Sequence, residues 1–196
     1  QMRTGRSQLL AMRIEPVRDG VNGVVGDRFL HALSEAAQRA GYRMLLCTAS
    51  GDAAELAEYE QLRATMALDG VVLATTHTGD GRRAWLRDKG LAFMSFGRPW
   101  ASDGTIVEGD ASWVDVDGAA GTGAATAELL ARGHRRIAYL GWPAGSDVGQ
   151  DRREGWRRTM AAAGLAGAGA EATCEDDVEQ ALGVVAELLR HRPSAI

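Results

Sequence analysis

The sequence shows no membrane-spanning run, no leader pattern in its first residues and no cysteine framework, and each absence narrows the class of protein expected. None of its 196 residues belongs to an apolar stretch long enough to cross a bilayer. The first seven residues, QMRTGRS, are polar and basic and have no apolar core, so no leader is read there and a cytoplasmic location is expected. The two cysteines, Cys47 and Cys174, lie too far apart for metal-type spacing. The histidines, His31, His77, His134 and His191, form no H-x-x-x-H cluster, so no metal site is expected. There is no G-x-S-x-G elbow, no internal repeat and no low-complexity tract, and no catalytic residue can be named. The chain also lacks a basic face. Its formal net charge is -4, and the pairs Arg82-Arg83, Arg135-Arg136, Arg152-Arg153 and Arg157-Arg158 read as solvated edges rather than a phosphate track. A DNA-reading role for this chain alone is not expected.

What is present is a globular composition, 45% hydrophobic and 24% charged, in a length that suits one domain or two small ones. Strand and helix signals alternate. Leu9–Ile14 reads as a strand, broken by Pro16, and Arg18–Gly26 as a loop. Asp27 is placed to cap a helix whose apolar face is Phe29, Leu33, Ala36, Ala37 and Ala40, stopped by Gly41. Tyr42–Thr48 reads as a buried strand. Asp52 and Glu55 have capping-box spacing ahead of the stripe Leu56, Tyr59, Leu62 and Met66. A turn at Asp69-Gly70, a strand Val71–Thr75, a helix Asp80–Lys89 stopped at Gly90, and a strand Ala92–Phe96 follow. This rhythm predicts a parallel sheet covered on both faces.

Gly97–Ala111 breaks the rhythm and places a subdomain junction near Glu108–Ala111, with residues 8–108 before it and 109–196 after it. A second alternation follows: strand Trp113–Val116, helix Ala119–Arg132, strand Ile137–Leu140, a loop at Trp142–Gly145, helix Asp151–Ala163, a Gly/Ala-rich turn, and a helix over Val178–Arg190. The last residues, Ser194–Ile196, read as the start of a strand, and the second subdomain is expected to be incomplete.

Gly118–Gly123, GAAGTG, lies between a strand and a helix, where amides can hold an anion. Its spacing matches neither the dinucleotide fingerprint nor a Walker loop, and small residues that let a helix pack on a sheet explain it better. His134 at a helix end reads as a capping or packing residue. Asp115 and Asp117 alternate along one strand face, but no nucleophile or metal partner accompanies them. A binding reading fares better, because ligands of open α/β sheets lie beyond the C-terminal strand ends. Phe96, Gly97, Arg98, Trp113, Asp117, Trp142 and Arg152 are expected there. Aromatic planes, a carboxylate and guanidinium groups suit a polyhydroxylated ligand.

Several pieces, in order, resemble the core domain of the LacI/GalR family of bacterial transcription regulators: Arg39-Ala-Gly-Tyr42, Leu68-Asp-Gly-Val71, Phe96-Gly-Arg-Pro99, Val116-Asp117-Gly118, Gly133-His-Arg-Arg-Ile137 and Arg152-Arg-Glu-Gly155. Residues 1–7 resemble the segment after that family's hinge helix. The resemblance implies two Rossmann-like parallel-sheet subdomains, like type I periplasmic binding proteins, closing over a sugar, sugar derivative or nucleobase. It implies a homodimer that reaches operator DNA only through an N-terminal domain not found in these residues, with no membrane or cofactor. It assigns the effector to Arg152 above all, then Trp113, Arg98, Phe96, Phe29 and Val25, and the strand-end position adds Asp117. Phe96 stands where some sugar-responsive members carry Asp, which argues against a simple hexoside. A sugar-binding protein of a transport system is the alternative reading.

Overall fold

The computed structural model describes residues 7–14, 24–101, 103, 105–107, 112–175 and 177–196, with the backbone alone at Val24 and Val25. The chain forms two compact units, Gln1–Asp115 and Val116–Ile196. Both are α/β, as the alternation predicts.

Unit 1 is built on five strands: β1 (Leu9–Ile14), β2 (Arg43–Thr48), β3 (Gly70–Leu73), β4 (Phe93–Phe96) and β5 (Trp113–Val114). All pairs are parallel and the order is β2-β1-β3-β4-β5. Parallel pairing needs crossovers, and α1 (Val24–Arg39), α2 (Asp52–Thr65) and α3 (Arg82–Asp88) supply the first three. β3 is an uninterrupted apolar run, buried on both faces, whereas β1 carries Arg13 and β4 carries Ser95 among their apolar residues. Ala11 stands opposite Leu45 and Val71. The core gathers Ala11, Tyr59, Leu62, Val71, Leu73 and Leu86.

Unit 2 runs α4 (Gly118–Ala131), β6 (Tyr139–Gly141), α5 (Asp147–Ala162), β7 (Glu171–Thr173) and α6 (Val178–Arg190). β6 pairs in parallel with β7, and a further parallel bridge joins Ile137 to Ala195 at the expected final strand. Its core is Ile137, Tyr139, Trp156 and Met160. The motif Gly133-His-Arg-Arg-Ile137 is a helix stop feeding a strand. Gly133 has φ 92°, its N–H returns to Leu130 O, and that of His134 returns to Leu129 O. This is the left-handed closure that glycine adopts without a Cβ penalty. α1, α3 and α5 end the same way at Gly41, Gly90 and Gly164.

The structure corrects several expectations. α1 begins at Val24, so Asp27 sits in its first turn rather than at its cap, and Val25 is helical rather than in a loop. Residues 1–6, 15–23 and the junction at 108–111 lie outside the described residues. β2 is half-exposed, since it forms the sheet edge. Asp52 and Glu55 make no capping box: Gly51 precedes α2 without a side-chain cap, and Glu55 is fully buried. The strand at Trp113 belongs to the first sheet, where Trp113 stands opposite Ser95, so unit 1 extends through Asp115 rather than ending at 108. α5 starts at Asp147, capped by Ser146, one turn ahead of the expected Asp151. β7 falls within what reads from sequence as a turn and loop.

Candidate functional site

In unit 1 the strand order reverses between β2-β1 and β3-β4, and such a switch point is where open α/β sheets leave a crevice. Here internal ion pairs fill it. Arg13, near the C-terminal end of β1, meets Glu55 Oε2 at 2.9 Å, and Arg82 donates to the same oxygen at 2.7 Å. Tyr59 donates its hydroxyl to Glu55 Oε1 at 2.8 Å. Burial first, then the Glu55 charge, pushes the Tyr59 pKa up. Arg82 also grips Asp80 with Nε and Nη2 at 2.8 and 2.6 Å and donates to Thr75 O. Burial opposes both charges, but the paired hydrogen bonds outweigh it, so the Asp80 pKa is lowered and that of Arg82 raised. Neither Arg82 nor Arg83 is the solvated edge expected, since they are 0% and 5% exposed. Arg83 donates to Ser95 Oγ. Asp52, His77 and Asp80 approach one another closely enough to suggest a metal site. However, Asp52 and Asp80 already face Arg82, and His77 uses both ring nitrogens on acceptors, Thr78 O and Asp52.

The expected ligand residues of unit 1 lie after β4 and along α1. Phe29 and Phe96 stack on each other, with centroids 3.9 Å apart and planes 13° from parallel. Each ring therefore covers one face of the other. Arg98 is held by Asp115 at 2.5 Å and lies 4.9 Å over Trp100, so its charge is matched within the unit. Gly97, φ 117°, lets the chain pass Thr76, whose hydroxyl bonds Arg98 O. Trp113 on β5 is 41% exposed. The Val25 side chain lies outside the described residues.

In unit 2 the expected residues converge. Arg152 sits on the second turn of α5, half-buried, its guanidinium 4.6 Å from the ring of Trp142 just beyond β6. Gly118 leaves room for the Arg152 side chain beside the start of α4: a Cβ there would stand 2.9 Å from Arg152 Cγ. Among the described residues no carboxylate pairs with Arg152. Asp117 caps α4 by accepting from Ala120 N at 2.8 Å. Asp151, from α5, accepts from Ala119 N at 3.0 Å. GAAGTG is thus a packing segment, and two of its amides are taken by carboxylates. α4 and α5 touch at Gly155, where a Cβ would come within 2.1 Å of Ala119 O. A cavity of about 580 Å³ runs along β6 between α4 and α6. Its lining takes in Trp142 and Arg152 beyond β6 and Cys174, Glu175 and Asp177 beyond β7, at the strand ends where α/β sheets bind ligands; the rest follows the side of β6.

Sequence reasoning names Arg152, Trp142 and Asp117 for this region of unit 2 and does not name Asp151 or the buried cluster around Glu55. The only local signal for that cluster was an acidic residue on the apolar face of α2, four positions before Tyr59.

A family model described as periplasmic binding proteins and sugar binding domain of LacI family matches residues 27–196. The regulator CelR of Thermobifida fusca is 33% identical over 137 residues, 68% of this chain and 37% of that protein. A LacI-family regulatory protein from Chloroflexus aggregans superposes with a TM-score of 0.81 at 31% identity, covering 96% of this chain and 67% of that one. A solved CelR–cellobiose complex superposes at 0.70 with 25% identity, covering 97% and 57%. The chain thus spans well under half of CelR's own length.

Proposed function

The chain belongs to the family of periplasmic binding proteins and LacI-family sugar-binding domains, and from that premise we propose that it is the effector-sensing part of a LacI-type transcription regulator. The observation that carries this reading is Arg152: a half-buried guanidinium with no carboxylate partner among the described residues, faced by an indole at the C-terminal end of β6. Such a group has N–H donors to offer a hydroxylated ligand. Asp117 at the start of α4 joins Arg152 in unit 2, and Trp113, Phe96 and Phe29 of unit 1 are carried over from the family resemblance. Val25 is carried over from the family resemblance. Arg98 acts through Asp115, holding the chain after β4 against the chain after β5.

Ligand affinity that differs between two arrangements of the protein shifts the balance between them, and only that difference can be relayed to DNA. DNA contact is assigned to other parts of the complete regulator, because this chain carries net charge -4. The relatives named above are regulators rather than enzymes or transport proteins, which favours sensing in the cytoplasm over delivery to a transporter. No catalytic step is proposed. Pairing as a homodimer follows from the same family and is checked by sedimentation.

The test is a thermal-shift screen against mono- and disaccharides, polyols and nucleobases, repeated with Arg152→Ala. A ligand at 100 times its Kd stabilises by about 2.7 kcal/mol. A hit that disappears in Arg152→Ala, with unfolding of the unliganded protein unchanged, supports the reading. A hit with the same affinity in the variant removes Arg152 from the site.

A further inference from the structure

We infer that unit 2 carries a further binding site, for a small phosphate-type anion, at the end of β6 opposite Trp142 and Arg152. Three connections enter the strands side by side at that end. Residues 131–138 lead from α4 into β6, residues 163–170 lead from α5 into β7, and residues 190–196 lead from α6 to the bridge at Ala195. Together they hold five arginines and two histidines and no aspartate or glutamate, in a chain whose net charge is -4. Arg135-Arg136 reads from sequence as a solvated edge, but the topology sets it beside His191 and Arg192, which are remote in sequence.

A cavity of about 250 Å³ opens among these connections, lined by Arg136, His191, Pro193 and the chain from Gly167 to Ala170. Arg136 donates Nε to Arg192 O at 2.8 Å, and its own carbonyl accepts from Ser194 N at 2.7 Å, which braces it against the chain after α6. Its two terminal nitrogens have no acceptor among the described residues. The amides of Gly167 and Gly169 likewise have none, whereas that of Ala168 is taken by Leu165 O. A braced guanidinium with open N–H groups, an imidazole and unpaired backbone amides form the donor set that suits a tetrahedral phosphate, whose ionised oxygens only accept.

Arginine beside a helix C-terminus also offsets the negative end of the helix dipole. Arg132 and Arg190 stand in those places at the ends of α4 and α6, and each has a carboxylate of its own, Glu128 and Glu187, at 2.8 Å. Arg135, Arg136 and Arg192 have no carboxylate partner among the described residues. Glu171, which opens β7, is already held by Arg153 and Arg157. Arg192 is moreover in the left-handed region, φ 50°, where the same place after α4 and α5 is glycine, Gly133 and Gly164. Backbone strain of this kind persists where the surrounding structure imposes it, often at binding sites. Here it keeps a cation between two residues of the cavity wall, His191 and Pro193.

The experiment is calorimetric titration of the full chain, at low ionic strength, with inorganic phosphate, glycerol 3-phosphate and acetate. Saturable binding of a phosphate, about tenfold or more tighter than acetate, is expected, and the ratio between the two phosphates tells a free ion from an ester. Arg136→Gln weakens phosphate about tenfold. Because Arg136 also braces the chain after α6, a second variant is Arg135→Gln, whose side chain makes no hydrogen bond or ion pair among the described residues; it weakens phosphate about threefold through charge alone. Arg192→Gly weakens phosphate while raising Tm, since glycine takes the left-handed angle without strain. Absence of saturable phosphate binding overturns the inference, and so does acetate binding equally well. Phosphate binding that survives all three variants but is lost in Arg152→Ala belongs to the other end of β6 and overturns it too. The sugar screen reads the proposed function separately, so either can fail alone.

Discussion

Arg82 and Glu55 form an ion pair of 2.7 Å in which neither side chain reaches solvent. Glu55 is shared with Arg13, and Arg82 with Asp80, so four charges depend on one another inside unit 1. Arg82→Met leaves Asp80, only 4% exposed, without its two-pronged partner. Breaking a buried pair from one side costs about 3–5 kcal/mol. Urea unfolding followed by circular dichroism measures this, and a loss below about 1 kcal/mol would mean that water reaches the cluster.

Gly155 and Gly121 predict opposite outcomes for the same change. Alanine at 155 drives a methyl into Ala119 O, 2.1 Å away, and backbone cannot yield cheaply. A loss of about 3 kcal/mol, at the upper end of overpacking, is expected. Gly121 has nothing within 4 Å of its would-be Cβ and lies inside α4, so Gly121→Ala stabilises by about 0.5–1 kcal/mol. Thermal melts of the two variants should move in opposite directions.

His77 makes stability depend on pH. Burial opposes its protonation, but the hydrogen bonds to Thr78 O and Asp52 and the charges of Asp52 and Asp80 outweigh that, and its pKa is raised. A raised folded pKa stabilises fully below the unfolded value of about 6.5, and the contribution fades as pH rises through the folded value. The side chain is 39% exposed, so solvent screening keeps the effect within about 1 kcal/mol. Calorimetric Tm values across this range should fall more in the wild type than in His77→Ala; parallel slopes would show that His77 does not couple to folding.

Cys47 should resist alkylation. Burial first, then Glu58 and Glu55, pushes its thiol from 9.0 up to about 11. The thiolate fraction near neutral pH falls about a hundredfold, and the reaction rate with it. Mass spectrometry after timed exposure to iodoacetamide reports the rate, and labelling as fast as that of an unstructured cysteine peptide would contradict the burial seen here.

The features legible in the sequence were those with a local cause. Gly133 stops α4 through its own backbone angle, and Val71–Leu73 is a strand because it is a bare apolar run. Arg82 and Glu55 misled because charge alone reads as solvent exposure, while their pairing spans 27 residues. β5 was assigned to the wrong sheet, since two residues cannot announce which parallel neighbour they join. β7 has no apolar run and an alternately exposed pattern, so it merged with the turn before it. At the candidate site, the sequence places Arg152 and Trp142 beyond the strand ends, but the approach of the Trp142 ring to the Arg152 guanidinium and of Asp151 to the start of α4 arises only when α4, α5 and β6 pack together.

The sheet order also sets a timetable for synthesis. β1 is the first strand of unit 1 to be made, yet it lies between β2 and β3 and pairs with both. Leu9–Ile14 therefore waits for Arg43–Thr48 on one edge and Gly70–Leu73 on the other, and parallel pairing offers no nearby hairpin to shelter it meanwhile. On a ribosome, neither edge of this segment can be fully paired until residue 73 has emerged from the exit tunnel.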